Sequence, residues 1–278
     1  MIDRFVLHTI IKIYTTPKLR TAARRLTRTV FSRFFGAQYK AQLFPKRIPV
    51  FSVDHQLDDY IPFVPQYVST YLNFMAFWIR PLGILLKKYP SYAREYGSDL
   101  IHSVERLYLY ASDMYQHAFS TTSRPRYLKS WSFILIHATD PHLCCVPSLH
   151  VMLALHTYIK IGRLFRSLNI EHAFGTTLRT EAIHITEAVL HVKQHSVNCI
   201  AAALYTMHCF DPLLFNHAEI NGFIDDLFAE DAYILPKNKQ IIQDHIHRLY
   251  KAFCDSGATS SSWKQPLLNF LFTQPRVR

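Results

Sequence analysis

A chain of 278 residues is long enough for one large core or a core with appendages. It holds only seven glycines, well under the usual ~7%, and no GxGxxG or P-loop string, which excludes the common nucleotide-binding sheets and points to an all-α fold. Its net charge of +11 is uneven, because residues 1–50 carry eleven Lys/Arg against the single acid Asp3. The five cysteines are odd in number and form no CxxC pair, so they do not read as a disulfide framework.

In chain order, the first element is a basic amphipathic helix. Leu19, Ala22, Leu26 and Val30 recur at helical spacing, with Arg20, Arg24 and Arg28 along another line. Such a helix suits the headgroup region of an anionic leaflet, cytoplasmic by the positive-inside rule; the competing readings are a solvated helix on its own domain and a targeting presequence. The aromatic run Phe31, Phe34, Phe35 continues with no cleavage point, against a presequence. Nucleic acid is the poorer partner, since the aromatics are grouped at one end rather than interleaved with the basic residues.

Residues 60–79 carry no formal charge and end at Arg80-Pro81, the length of a membrane-spanning helix. Residues 142–159 and 194–210 are further uncharged stretches. The intervening stretch 178–192 carries Arg179, Glu181 and Glu187 and is expected to face protein or water. The expectation is a polytopic protein of the cell or inner membrane with a cytoplasmic N-terminus; a soluble helical bundle is the alternative. Beyond Leu235-Pro236 an amphipathic helix spans 234–253, followed by the small-residue linker 257–262. Three parts result: a basic N-terminal segment (1–50), a helical core (51–212) and a soluble helical C-terminal tail (213–278).

Two motifs carry chemistry. Pro147-Ser148-Leu149-His150 opens one uncharged helix, where proline is favoured in the first turn. Lys193-Gln194-His195 opens another. The ~45 residues between them fit one helix down, a loop near 169–177 and one helix back. Both histidines then sit at the same end of the bundle, at helix N-termini that favour anions. Two imidazoles, a lysine and helix ends are what phosphoryl transfer through a phosphohistidine needs. Upstream, Ser123-Arg124-Pro125-Arg126 adds a guanidinium suited to phosphate oxygens. A rival metal reading takes His191, His195 and Cys199 at i, i+4 and i+8, joined by Cys144, Cys145 and His150, but matches no standard metal signature.

These strings resemble the type-2 phosphatidic acid phosphatase (PAP2) superfamily, whose pattern is K-x6-R-P, P-S-x-H and S-R-x5-H-x3-D. The likeness is strongest around Val146–Val151 and Lys193–His195, and covers roughly residues 60–210. It implies a six-helix core, no metal or other cofactor, and a lipid phosphate or isoprenoid diphosphate as substrate. It assigns His195 as nucleophile, His150 as general acid, and Arg124, Ser148 and Lys193 as phosphate-binding residues. The pattern departs at His117 for the first lysine, at Ala188-Val189 for Ser-Arg, and at Cys199 for the aspartate. Asn198 is the nearest residue able to orient His195, and Glu187 the first carboxylate to check on another helix. Two functions follow: lipid-phosphate phosphatase or head-group phosphotransferase, or an inactive relative that binds lipid phosphate or scaffolds partners.

Overall fold

The computed structural model describes residues 3–44, 48–170, 172 and 175–277. The protein is predominantly helical. Helices α1 (Arg4–Thr15) and α2 (Pro17–Thr29) come first, and the helix runs on through a π turn at Val30–Phe35 into α3 (Gly36–Leu43). Asp3 caps α1 by accepting the Val6 N–H at 2.7 Å and pairs with Arg80 at 3.1 Å. Helix α4 (Val68–Leu72) leads into α5 (Phe74–Lys88) and the long α6 (Pro90–Tyr115). Gly83 is required where α1 crosses α5, because a Cβ there would collide with Thr9 and the Phe5 ring.

The apolar line of α2 faces protein. Leu19, Ala22, Ala23 and Leu26 are buried on α6, each of the two leucines contributing ~1.5–3 kcal/mol. Arg25 and Thr29 both reach Glu105 on α6, at 3.4 and 3.2 Å.

Helices α7 (Trp131–Thr139), α8 (Leu149–His156), α9 (Gly162–Ser167), α10 (Gly175–His191) and α11 (Val197–Phe210) complete the core. Helix α8 is central and contacts α5, α6, α10 and α11. Its residues from Val151 to His156 are all buried, as a helix apolar on every side must be. The predicted turn at 169–177 falls partly on 171, 173 and 174, which lie outside the described residues. Helices α12 (His217–Asp226), α13 (Pro236–Ala258) and α14 (Gln265–Phe272) follow, and α13 lies along α11. Residues of this C-terminal segment are bonded into the core. Asp231 Oδ2 meets His191 Nε2 at 2.5 Å, and His245 Nε2 meets Asn198 Oδ1 at 2.8 Å.

The expectation of a multi-pass membrane protein is overturned. Among the described residues no helix is long and apolar enough to cross a membrane. The uncharged runs are not single helices. Residues 60–79 are interrupted by the 3-10 turn Pro65–Tyr67 and the short α4, and 142–148 is a loop. Helix α11 has 14 residues, about 21 Å against the ~30 Å of a hydrocarbon core. Its apolar residues are consumed by the protein interior, Val197 through Met207 being buried.

One small parallel sheet interrupts the helical pattern. Strand β1 (Val50–Ser52) pairs with β2 (Phe119–Thr121), Val50 opposite Phe119 and Ser52 opposite Thr121. Buried Ser120 then holds the loop ahead of α8. Its N–H donates to Leu143 O (3.0 Å), its carbonyl accepts from Cys145 N (3.3 Å), and its Oγ accepts from Val146 N (2.7 Å). Replacing Ser120 by alanine strands the Val146 N–H, and we expect a loss of ~1–3 kcal/mol in urea unfolding. An unchanged midpoint would show that this bond holds nothing in place.

Burial keeps two histidines neutral. The His156 pKa is lowered to about 3 by burial and then Lys160, and that of His245 to about 4 by burial and then His55 and Arg248. Both lie below the ~6.5 of an unfolded histidine. The unfolded chain therefore binds more protons as pH falls from ~6.5. The stability from these two groups is complete above that pH and is lost progressively on the way down to 4 and 3. The melting temperature should drop between pH 7 and pH 4.5, and drop less in His245→Gln. Parallel curves for the two proteins would rule out His245 as a contributor.

Candidate phosphate site

The first half of the site is the start of α8. Tyr115 donates its hydroxyl to Pro147 O at 2.6 Å, and the Val146–Pro147 peptide is cis. Ser148 is the N-cap residue of α8, yet its side chain makes no capping bond. Its Oγ instead lies 3.2 Å from His195 Nε2. His150, in the first turn of the helix, is clamped by Tyr71 stacked at 4.6 Å and by Phe74 edge-on at 4.3 Å.

The second half is the connection from α10 to α11. Lys193 adopts a left-handed backbone (φ 55°), which reverses the chain. The N–H groups of Gln194 and His195 return to Val189 O, at 3.0 and 3.2 Å, closing the end of α10. Ser196 caps α11, and Cys199 Sγ accepts the Ser196 N–H at 3.4 Å. His195 is thereby held at the bundle end with its Nε2 only 3.4 Å from His150 Nδ1.

His150 and His195 line a small cavity of ≈ 30 Å³ with Phe34, Tyr71, Asp140, His142, Cys145 and Gln194. That is room for about two waters. Arg124 stands one layer out. It donates to Gln194 Oε1 and to Asp140 O, both at 3.1 Å, and its Nη1 lies 3.9 Å from Asp140 Oδ2. The imidazole of His150 is held well below the usual histidine range by burial and by neighbouring His195.

Two of the expected site residues face elsewhere. Lys193 was expected to bind phosphate, but its Nζ donates to Asp58 O and Ile61 O, both at 2.5 Å, so it closes the 3-10 turn Gln56–Tyr60. The left-handed backbone that delivers His195 turns the lysine the other way. Asn198 was the expected orienting group for His195, but it donates to Val53 O at 3.3 Å and accepts from His245. Being inside the first turn of α11, it points off the far side of the helix start.

Among the described residues the buried Nδ1 of His195 has no hydrogen-bond partner. Glu187 accepts the Phe228 N–H at 2.6 Å and so faces the C-terminal segment, its pKa pushed up to about 7 by burial. Among the described residues no group of three or more His, Cys, Asp or Glu is arranged to hold a metal. His191 of the metal reading is turned to Asp231 and Pro62 O.

Sequence reasoning missed Asp140, His142 and Tyr71, named Cys145 only in the metal reading, and gave Gln194 no role within its motif. The His142 ring lies 2.9 Å from Thr122 Oγ1, 3.9 Å from Cys145 Sγ and 4.0 Å from Asp140 Oδ2. Burial disfavours the Cys145 thiolate, but Cys199, His142 and His195 outweigh it and leave Cys145 more acidic than an ordinary thiol. The short string Asp140-Pro-His142 with Cys145 three residues on was the available signal. No known protein family, curated protein or solved structure matches this chain.

Lys193→Gln should lower stability by ~1–3 kcal/mol, since two carbonyls lose a charged donor. Phosphate affinity, followed by titration calorimetry, should stay within error of wild type. A selective loss of phosphate binding would return Lys193 to the site.

Proposed function

We propose that this pocket handles a phosphoryl group, and that the protein is a phosphatase or phosphotransferase acting on a lipid phosphate, in the manner of the PAP2 enzymes its motifs resemble. The observation that carries this reading is the meeting of Ser148 Oγ, His195 Nε2 and His150 Nδ1 within 3.2–3.4 Å at the starts of two helices. In this reading His195 Nε2 attacks phosphorus, a new N–P bond forms, and the P–O bond to the alcohol breaks. His150 gives the departing alkoxide its proton. Water then attacks the phosphohistidine, with His150 taking a proton and His195 leaving. A neutral resting His150 must first be protonated, and the arriving phosphate dianion favours that charge. In this reading Ser148 and Gln194, the latter held by Arg124, would meet the phosphoryl oxygens.

One observation favours a second reading, binding without turnover. A carboxylate behind a catalytic histidine fixes the tautomer and stabilises the imidazolium, and in the serine-protease triad its loss costs ~10⁴ in rate. The bare Nδ1 of His195 has no such support.

The deciding experiment is phosphate release from a panel of lipid phosphates by wild type, His150→Ala and His195→Ala, beside calorimetric phosphate binding. Under the first reading, wild type turns over and each variant falls at least ~10²-fold. Under the second, none turns over and phosphate binding is lost in the variants. Equal rates and equal binding in all three would remove both.

A further inference from the structure

Residues 31–43 form an exposed apolar stripe distinct from the buried line of α2. The π turn at Val30–Phe35 adds a residue to the helical repeat and so rotates the faces of the continuing helix. Phe34 turns inward onto Tyr108 at 5.7 Å, while Phe31, Phe35 and Tyr39 run up the outside with ring spacings of 6.0 and 6.5 Å. The stripe ends at Leu43, about 18 Å from Phe31. Phe31 is 67% exposed and Leu43 73%.

Helix α7 extends this face. Tyr39 donates its hydroxyl to Thr139 O at 2.6 Å, tying α3 to the end of α7. Along α7, Trp131 is 83% exposed and Leu135 57%, with Leu128 exposed just ahead. Basic side chains border these residues. Arg24, Arg28, Arg33 and Lys40 are exposed on the long first helix, and Arg126 and Lys129 beside α7. Asp3 is the only described acid in the first 44 residues. A partly open apolar cavity of ≈ 310 Å³, walled by Ile10, Leu26, Phe31, Phe35 and Trp78, shares Phe31 and Phe35 with the stripe.

Exposed apolar patches this large mark a partner. A basic border around an aromatic and aliphatic centre selects one whose surface is anionic and whose interior is hydrocarbon. We infer that the face formed by residues 31–43 and 128–135 seats on an anionic lipid bilayer, with Trp131 and Leu43 in the interfacial layer and the arginines among the headgroups. An acidic protein would match the charge but leave the cavity unfilled, whereas a lipid chain fills it. Nucleic acid would match the charge and leave the exposed Trp and Leu without purpose. The seat needs no transmembrane helix, and it holds whether or not the histidine pocket hydrolyses anything.

The test is co-sedimentation of the full chain with vesicles of phosphatidylcholine and phosphatidylserine against pure phosphatidylcholine. Chain-brominated lipid serves to quench tryptophan. Wild type should bind the mixed vesicles, with quenching that falls in Trp131→Phe and persists in part from Trp78 on the cavity wall. Binding should weaken roughly tenfold or more in Trp131→Ser/Leu43→Ser and in Arg24→Glu/Arg28→Glu. All four positions are exposed, so circular dichroism should show these variants folded. The inference is overturned by absence of vesicle binding, by binding that ignores both double variants, or by binding to RNA or an acidic polypeptide in place of vesicles.

Discussion

Every backbone and side-chain polar atom of Ser120 is bonded to the loop that precedes α8, and the placement of the pocket depends on that arrangement. A helical bundle brings helix ends together to within a turn, which is too coarse to place one side-chain atom against another. Ser120 supplies the finer constraint. It sits in β2, held through β1, and fixes residues 143–146, so Pro147 and Ser148 enter the helix from one direction. Tyr115 grips the Pro147 carbonyl from α6. The small sheet is therefore the clamp that converts approximate helix packing into a 3.2 Å approach of Ser148 to His195.

The histidines divide by burial and partner. His191 is satisfied at both nitrogens, by Asp231 and by Pro62 O, and joins the C-terminal segment to the core. His156 lies within hydrogen-bond distance of Ser103, which in turn accepts from Lys160, inside the bundle. His245 stacks on His55 and bonds Asn198. These are structural roles, with imidazole used as a flat polar group that accepts or donates once or twice. His150 and His195 differ because each turns a nitrogen toward the other across a cavity. An orphaned buried nitrogen costs ~1–3 kcal/mol; among the described residues the Nδ1 atoms of both His195 and His156 are such atoms, so it is the facing of His195 and His150 that sets the pair apart.

The surface and the pocket belong to one functional picture. Phe34 lines the pocket, while Phe31 and Phe35 beside it wall the apolar cavity, so the π turn separates a polar chamber from an apolar one by a single residue. Under the proposed reading, a phosphate-bearing lipid would use both. Electrostatics are consistent with that picture, since the basic excess of the first segment lies on the outside rather than within the core.

The sequence by itself determined the helical class, through its scarcity of glycine and its long apolar stretches, and it located Ser148, His150, His195 and Arg124. Ser148, His150 and His195 are legible because short motifs at helix starts have fixed geometry, and Pro147 announces the start of α8. It could not say where the apolar stretches go, since a buried core helix and a lipid-facing one share a composition; only packing put α8 and α11 inside protein. Nor could it orient Lys193 and Asn198. A one-residue change of backbone hand at Lys193, and the ~100° turn per residue within α11, aim adjacent side chains at unrelated neighbours. Asp140 and His142 were hidden for a related reason: a loop has no period, so which of its side chains face a cavity is settled by tertiary contacts such as those of Ser120.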